Sequence, residues 1–169
     1  MSRFVRQVFL TALLLTAANL TALASQTNAP VAKEIVVFGQ KIQYLEAGSG
    51  PNLILLHGLG GSSQAWQFNI GPLAEKFHVF VPDQIGFGKS DKPLVNYRIR
   101  TYVDFLDQFC KQLKIERASL VGSSMGGWVA VLFTASFPDR VDKLVLADAG
   151  GYAPPKDLDT RTFYGLNPT

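Results

Sequence analysis

Gly122-Ser123-Ser124-Met125-Gly126 follows the short apolar run Ala118-Ser119-Leu120-Val121. The pattern is G-x-S-x-G where a strand hands over to a helix. A serine raised on so sharp a turn needs small residues two before and two after it, because strand and helix would otherwise collide. Its hydroxyl then stands clear of the sheet, and the amide of Met125 points to where an oxyanion would form. Ser124 is therefore a candidate nucleophile. The competing reading is a chance Gly/Ser turn, since the chain holds 15 glycines.

Three other stretches bear on chemistry. His57-Gly58-Leu59-Gly60-Gly61 ends an apolar strand, and its glycines let the backbone approach a ligand closely. The amide of Leu59 is a candidate second oxyanion donor beside Met125; a glycine-rich turn without a ligand is the alternative. His57 reads as a histidine that fixes the turn by hydrogen bonds rather than as a general base. A dinucleotide fingerprint starting at Gly58 would need glycine or alanine at 63, where Ser63 stands. The second stretch, Asp83-Gln84-Ile85-Gly86-Phe87-Gly88-Lys89-Ser90, contains Gly-Lys-Ser. Asp83 occupies the place of the first phosphate-loop glycine, and Asp91-Lys92-Pro93 follows where a helix should start. A tight loop with Asp83 accepting from backbone amides fits better. The third is Asp148, which closes a strand after the elbow. It reads either as a candidate catalytic acid or as an ordinary strand-end residue.

These residues need elements to hold them. Glu34 to Phe38 and Ile42 to Ala47 read as strands joined by a Gly39-Gln40 turn. Leu53 to Leu56 is an apolar run that suits a strand covered on both faces. Gln64 to Lys76 reads as a helix with Trp66, Ile70 and Leu73 on one stripe, and His78 to Val81 as a strand. Thr101 to Leu113 is an amphipathic helix with Val103, Leu106, Cys110 and Leu113 on its apolar face. The helix after the elbow, Met125 to Ser136, is expected to turn Trp128, Val129, Leu132 and Phe133 inward. Lys143 to Ala147 gives one more strand. Strands alternating with helices indicate a parallel sheet.

Composition sets outer bounds. Arg3 and Arg6, the apolar Val8 to Leu15 and the small residues Ala22-Leu23-Ala24 have the three-part layout of an export signal, with cleavage expected after Ala24. The alternative is an uncleaved N-terminal membrane anchor. Thr11, Thr16, Asn19 and Thr21 interrupt the run, which falls short of the ~20 apolar residues of a comfortable span. Residues 1–24 hold two arginines and no acid, so losing them brings the net charge from +3 close to neutral. No long run of like charge exists, and nucleic acid is not an expected partner. The sole cysteine, Cys110, has no partner for an internal disulfide.

Together these pieces resemble the α/β-hydrolase family. The resemblance rests on His57-Gly58-Leu59-Gly60-Gly61, Asp83 to Ser90, Gly122 to Gly127 and Phe137-Pro138-Asp139-Arg140-Val141, in that order, over roughly residues 34 to 152. It implies an α/β fold: a mostly parallel sheet with helices on both faces, incomplete at its C-terminal end. It implies a serine hydrolase needing no metal or organic cofactor, with Ser124 as nucleophile and the amides of Leu59 and Met125 as oxyanion hole. A small ester-like molecule is the implied substrate, with lactone opening and carbon–carbon hydrolysis also open. A serine at 124 argues against the branches that use an aspartate nucleophile. The expected layout is a signal over 1–24, a linker over 25–33, a partial hydrolase core over 34–152 and the start of a lid over 153–169.

One feature departs from the family. Its triad runs serine, acid, histidine along the chain, yet both histidines here, His57 and His78, precede Ser124. Asp148 sits where a minority of the family places the acid. The expected base lies past Thr169, and a chain without it would be an inactive hydrolase-fold protein that binds a small ligand or partner. The last strand is then expected to be a bare sheet edge, with Trp128 and Phe133 uncovered.

Overall fold

Successive side chains along a strand point to opposite sides. In the computed structural model, which describes residues 28–151, the apolar run of the third strand uses this to feed two separate cores. Six strands, β1 (Val31–Val37), β2 (Gln40–Ala47), β3 (Asn52–Leu56), β4 (His78–Pro82), β5 (Ala118–Ser123) and β6 (Val141–Ala147), form one sheet in the order β1-β2-β4-β3-β5-β6. β3 pairs in parallel with β4 and β5, and β5 with β6. The β1–β2 hairpin is antiparallel and joins β4 antiparallel.

Three helices cover the two faces: α1 (Gln67–Ala74), α2 (Ile99–Gln112) and α3 (Met125–Ser136). Leu53, Leu55, Val79 and Val81 meet Ile70 and Ala74 of α1 on one side. Ile54, Leu56, Phe80 and Leu120 meet Val103, Leu106 and Phe109 of α2 and Val129, Ala130 and Phe133 of α3 on the other. This is the expected α/β architecture. Among the described residues no helix is long and apolar enough to cross a membrane.

Several details differ from the sequence reading. β1 starts at Val31, three residues before the expected Glu34 and inside the stretch read as linker. The hairpin turns at Phe38-Gly39, not Gly39-Gln40. Both residues have positive φ, 54° and 73°, as a two-residue turn matched to strand twist requires. The expected helix over 64–76 is split into a 3-10 turn, Ser63–Trp66, and α1. Ser62 accepts from the Gln64 amide at 3.3 Å and tightens that first turn.

Trp128 is not inward: it is 39% exposed, while Phe133 is buried. The face of Phe133 was expected to be bare, but Phe137 and the Arg140 guanidinium lie over it, at 5.0 and 5.4 Å. Arg140 is held there by Asp107 of α2, which also takes Lys111 at 2.7 Å. Burial alone would raise the Asp107 carboxyl, but its bonds to Lys111 and Arg140 outweigh that and hold it below the usual carboxylate range. β6 is an edge of the sheet among the described residues, with Val145 and Leu146 exposed. The signal over 1–24 and the lid start over 153–169 lie outside the described residues.

Candidate active site

Loops leaving the C-terminal ends of parallel strands converge on one end of a sheet, where such folds build their sites. Here those loops follow β3, β4 and β5. Ser124 sits between β5 and α3 with φ 52° and ψ −117°. That backbone conformation costs a non-glycine residue about 1–3 kcal/mol and persists only where its surroundings impose it. They do so from both sides. The Ser124 amide donates to the Ala147 carbonyl at 3.2 Å, and the Ser124 carbonyl accepts from Gly150 at 2.8 Å and Trp128 at 3.2 Å. The flanking glycines are spatial requirements. A Cβ at Gly122 would lie 2.6 Å from Gly127 Cα, and one at Gly126 would lie 2.6 Å from the His57 carbonyl oxygen.

The loop after β3 packs directly on this serine. A Cβ added at Gly58 would come within 3.1 Å of Ser124 Cβ and 3.6 Å of Ser124 Oγ. The Gly58 backbone therefore lies beside the hydroxyl, while Leu59, the next residue, is 71% exposed. Among the described residues the amides of Leu59 and Met125 donate to no protein acceptor outside helices and strands. Met125 opens α3, so its amide has no partner within the helix and sits at the positive end of the dipole.

His57 anchors that loop. Its side chain is fully buried. The Gln84 amide donates to Nε2 at 3.0 Å, which fixes the proton on Nδ1, and Nδ1 donates to the Gly58 carbonyl at 2.8 Å. Gln84 Nε2 returns a bond to the His57 carbonyl at 2.8 Å. Burial pushes the imidazole below its ordinary value, against smaller opposing effects of the Gly58 carbonyl and the Asp83 charge. A neutral ring with both nitrogens engaged has none left for Ser124. Asp83 does what the sequence suggested: its carboxylate accepts from the amides of Ser63 at 2.6 Å and Lys89 at 2.8 Å, clasping the loops after β3 and β4 together.

Ser124 and Met125 are thus adjacent at the turn, and Leu59 follows the Gly58 backbone that packs on the serine. Asp148 is not joined to them by its side chain: it follows β6 exposed, with φ 48°, and its carboxylate makes no hydrogen bond or ion pair among the described residues. His78 starts β4 at the opposite end of that strand and pairs with Glu46 at 3.0 Å. Sequence reasoning missed Gln84 and Gly150. Neither carries a local signal, because each acts on a residue more than 20 positions away.

A family model described as alpha/beta hydrolase fold matches residues 51–164. An uncharacterised protein of Mycobacterium tuberculosis is 42% identical over 115 residues, 68% of this chain and 34% of the relative. A 2-hydroxymuconate semialdehyde hydrolase of a Pseudomonas strain is 32% identical over 150 residues, 86% of this chain and 53% of the relative. The chain thus spans about a third to a half of the length of these curated relatives. The crystal structure of a bacterial membrane phospholipase A superposes with a TM-score of 0.77 at 29% identity, covering 98% of this chain and 58% of that one. With the model matching more than half of its length and the sheet built as the sequence implied, the chain belongs to the α/β-hydrolase family.

Proposed function

We propose that this chain carries the nucleophile and oxyanion hole of a serine hydrolase that cleaves a carboxylic ester or a related acyl or carbon–carbon bond. Ser124 Oγ attacks the substrate carbonyl, and the oxygen that gains charge is received by the amides of Leu59 and Met125. Fixed backbone donors need no reorganisation as that charge develops, and one of them contributes about 100- to 1000-fold in rate. The observation that carries this reading is the strained Ser124 backbone with the Gly58 backbone against its hydroxyl. Two of the proteins it resembles are hydrolases by name, a membrane phospholipase A and a 2-hydroxymuconate semialdehyde hydrolase. A serine at 124 disfavours the aspartate-nucleophile chemistries of the family.

A serine hydroxyl needs an adjacent base near neutral pH. Neither histidine of this sequence supplies it, since His57 is doubly bonded and His78 pairs with Glu46. The base of the active enzyme is therefore neither His57 nor His78, and Asp148 is a secondary candidate for the acid. The same observation favours a second reading: the chain by itself binds a ligand or partner at the elbow without turnover. In the active enzyme, Ser124→Ala should leave only the residual catalysis of binding and oxyanion hole. Leu59→Pro, which deletes one donor amide, should cost about 100- to 1000-fold in kcat. Unchanged ester hydrolysis in Ser124→Ala would refute the assignment.

A further inference from the structure

The connection from β4 to α2 ends in a projection that the elbow chemistry does not use. Leu94 is fully exposed (106%), Val95 follows it at 46%, and Tyr97 stands at its base at 41%. A single exposed leucine is ordinary. Two consecutive apolar residues at a tip, backed by a tyrosine and ringed by cations, are not. Lys89, Lys92 and Arg98 are all exposed, and among the described residues none of them is in an ion pair. Arg100 is taken by Asp104, and the one acid in the stretch, Asp91, turns its carboxylate to the Lys41 amide at 2.7 Å.

The projection is built rather than loose. Tyr97 donates its hydroxyl to the Pro93 carbonyl at 2.6 Å, and its ring lies over Gly86, where a Cβ would come within 2.6 Å of it. Thr101 Oγ1 donates to the Asn96 carbonyl at 2.7 Å, and Lys92 Nζ to the carbonyls of Gly88 and Ser90 at 2.8 and 3.0 Å. The tip is therefore held out with little ordering left to be done on binding. It leaves the sheet at the end that carries Ser124, where the exposed Leu59 and Phe68 also lie.

An apolar tip with a tyrosine collar and basic flanks is the combination that seats a protein at a lipid headgroup boundary. We propose that the Lys89–Arg98 loop is a membrane-docking tip, with Leu94 and Val95 entering the surface of an anionic bilayer and Lys89 and Arg98 facing its phosphates. Charge selects this occupant: Lys89 and Arg98, which have no carboxylate partner among the described residues, suit an anionic leaflet, where each lysine or arginine strengthens binding roughly five-fold. The docking would turn the Ser124 end of the sheet toward the leaflet. It does not depend on Ser124 acting as a nucleophile.

The test places an environment-sensitive nitrobenzoxadiazole probe on the full chain at Leu94→Cys, with Glu116→Cys at the opposite end of the sheet as control. The native Cys110 will not compete, being buried with its thiol pushed up to about 12. Phosphatidylcholine vesicles containing phosphatidylglycerol should blue-shift and brighten the probe at 94 and leave the one at 116 unchanged. Adding Lys89→Ala and Arg98→Ala should weaken that response roughly 25-fold in vesicle affinity, and salt should weaken it too. A silent probe at 94, whether the chain binds vesicles by another segment or not at all, would overturn the proposal. So would a probe already blue-shifted in buffer, which would show that protein covers the tip, or a response indifferent to the two charge removals.

Discussion

Ser124 holds a backbone conformation that glycine adopts at little cost and serine does not. If the strain is retained for the sake of the hydroxyl, removing both should stabilise the protein. Ser124→Gly should therefore be about 1 kcal/mol more stable than Ser124→Ala, which keeps the Cβ in the same strained position. Urea denaturation of the two variants measures the difference; equal stabilities would mean that the elbow is not strained. At this scale the sequence was most legible where chemistry needs residues close together in the chain. Gly122, Ser124 and Gly126 announce their geometry, and Asp83 was identifiable as an acceptor for loop amides. Gln84 was not, because its two bonds to His57 cross 27 positions of chain. Trp128 misled, since a large apolar residue in a helix predicts burial, yet its indole packs at the surface over Gly151.

The elements around the site are joined by a few polar contacts that tie strand ends to each other. His57 and Gln84 link the ends of β3 and β4. Because burial depresses the folded imidazole, the native state binds fewer protons than the unfolded chain just below the ordinary histidine value of 6.5. Stability from this group is full above that value and falls as pH drops beneath it. Protonating Nε2 would also set it against the Gln84 amide, donor against donor. The expected outcome is an unfolding free energy that declines from about pH 6.5 downward, with a shallower decline in His57→Gln, whose amide oxygen can still accept from Gln84. An identical pH profile in both proteins would contradict the assigned tautomer. The strands and helices themselves were largely readable from apolar periodicity. The hairpin turn and the break before α1 were not, because a backbone twist and one Ser62 bond decide them.

For the whole molecule, the fold follows from period-two strands that feed a core on each face, and relatives of the same family share it. Residues 1–24 are expected to direct export and to be removed after Ala24. N-terminal sequencing of the exported protein should start at Ser25, and a product that retains Met1 would contradict this. The central claim is that Ser124 is the nucleophile and that its base is neither His57 nor His78. It is tested most directly by the rate at which a serine-directed phosphonate labels Ser124, in the 169-residue chain and in a form extended through any coding sequence that follows it. The account predicts negligible labelling of the 169-residue chain and rapid labelling of the extended form, lost in Ser124→Ala. Rapid labelling of the 169-residue chain that disappears in His57→Ala would contradict it, because the histidine assigned here to the loop would then be the base.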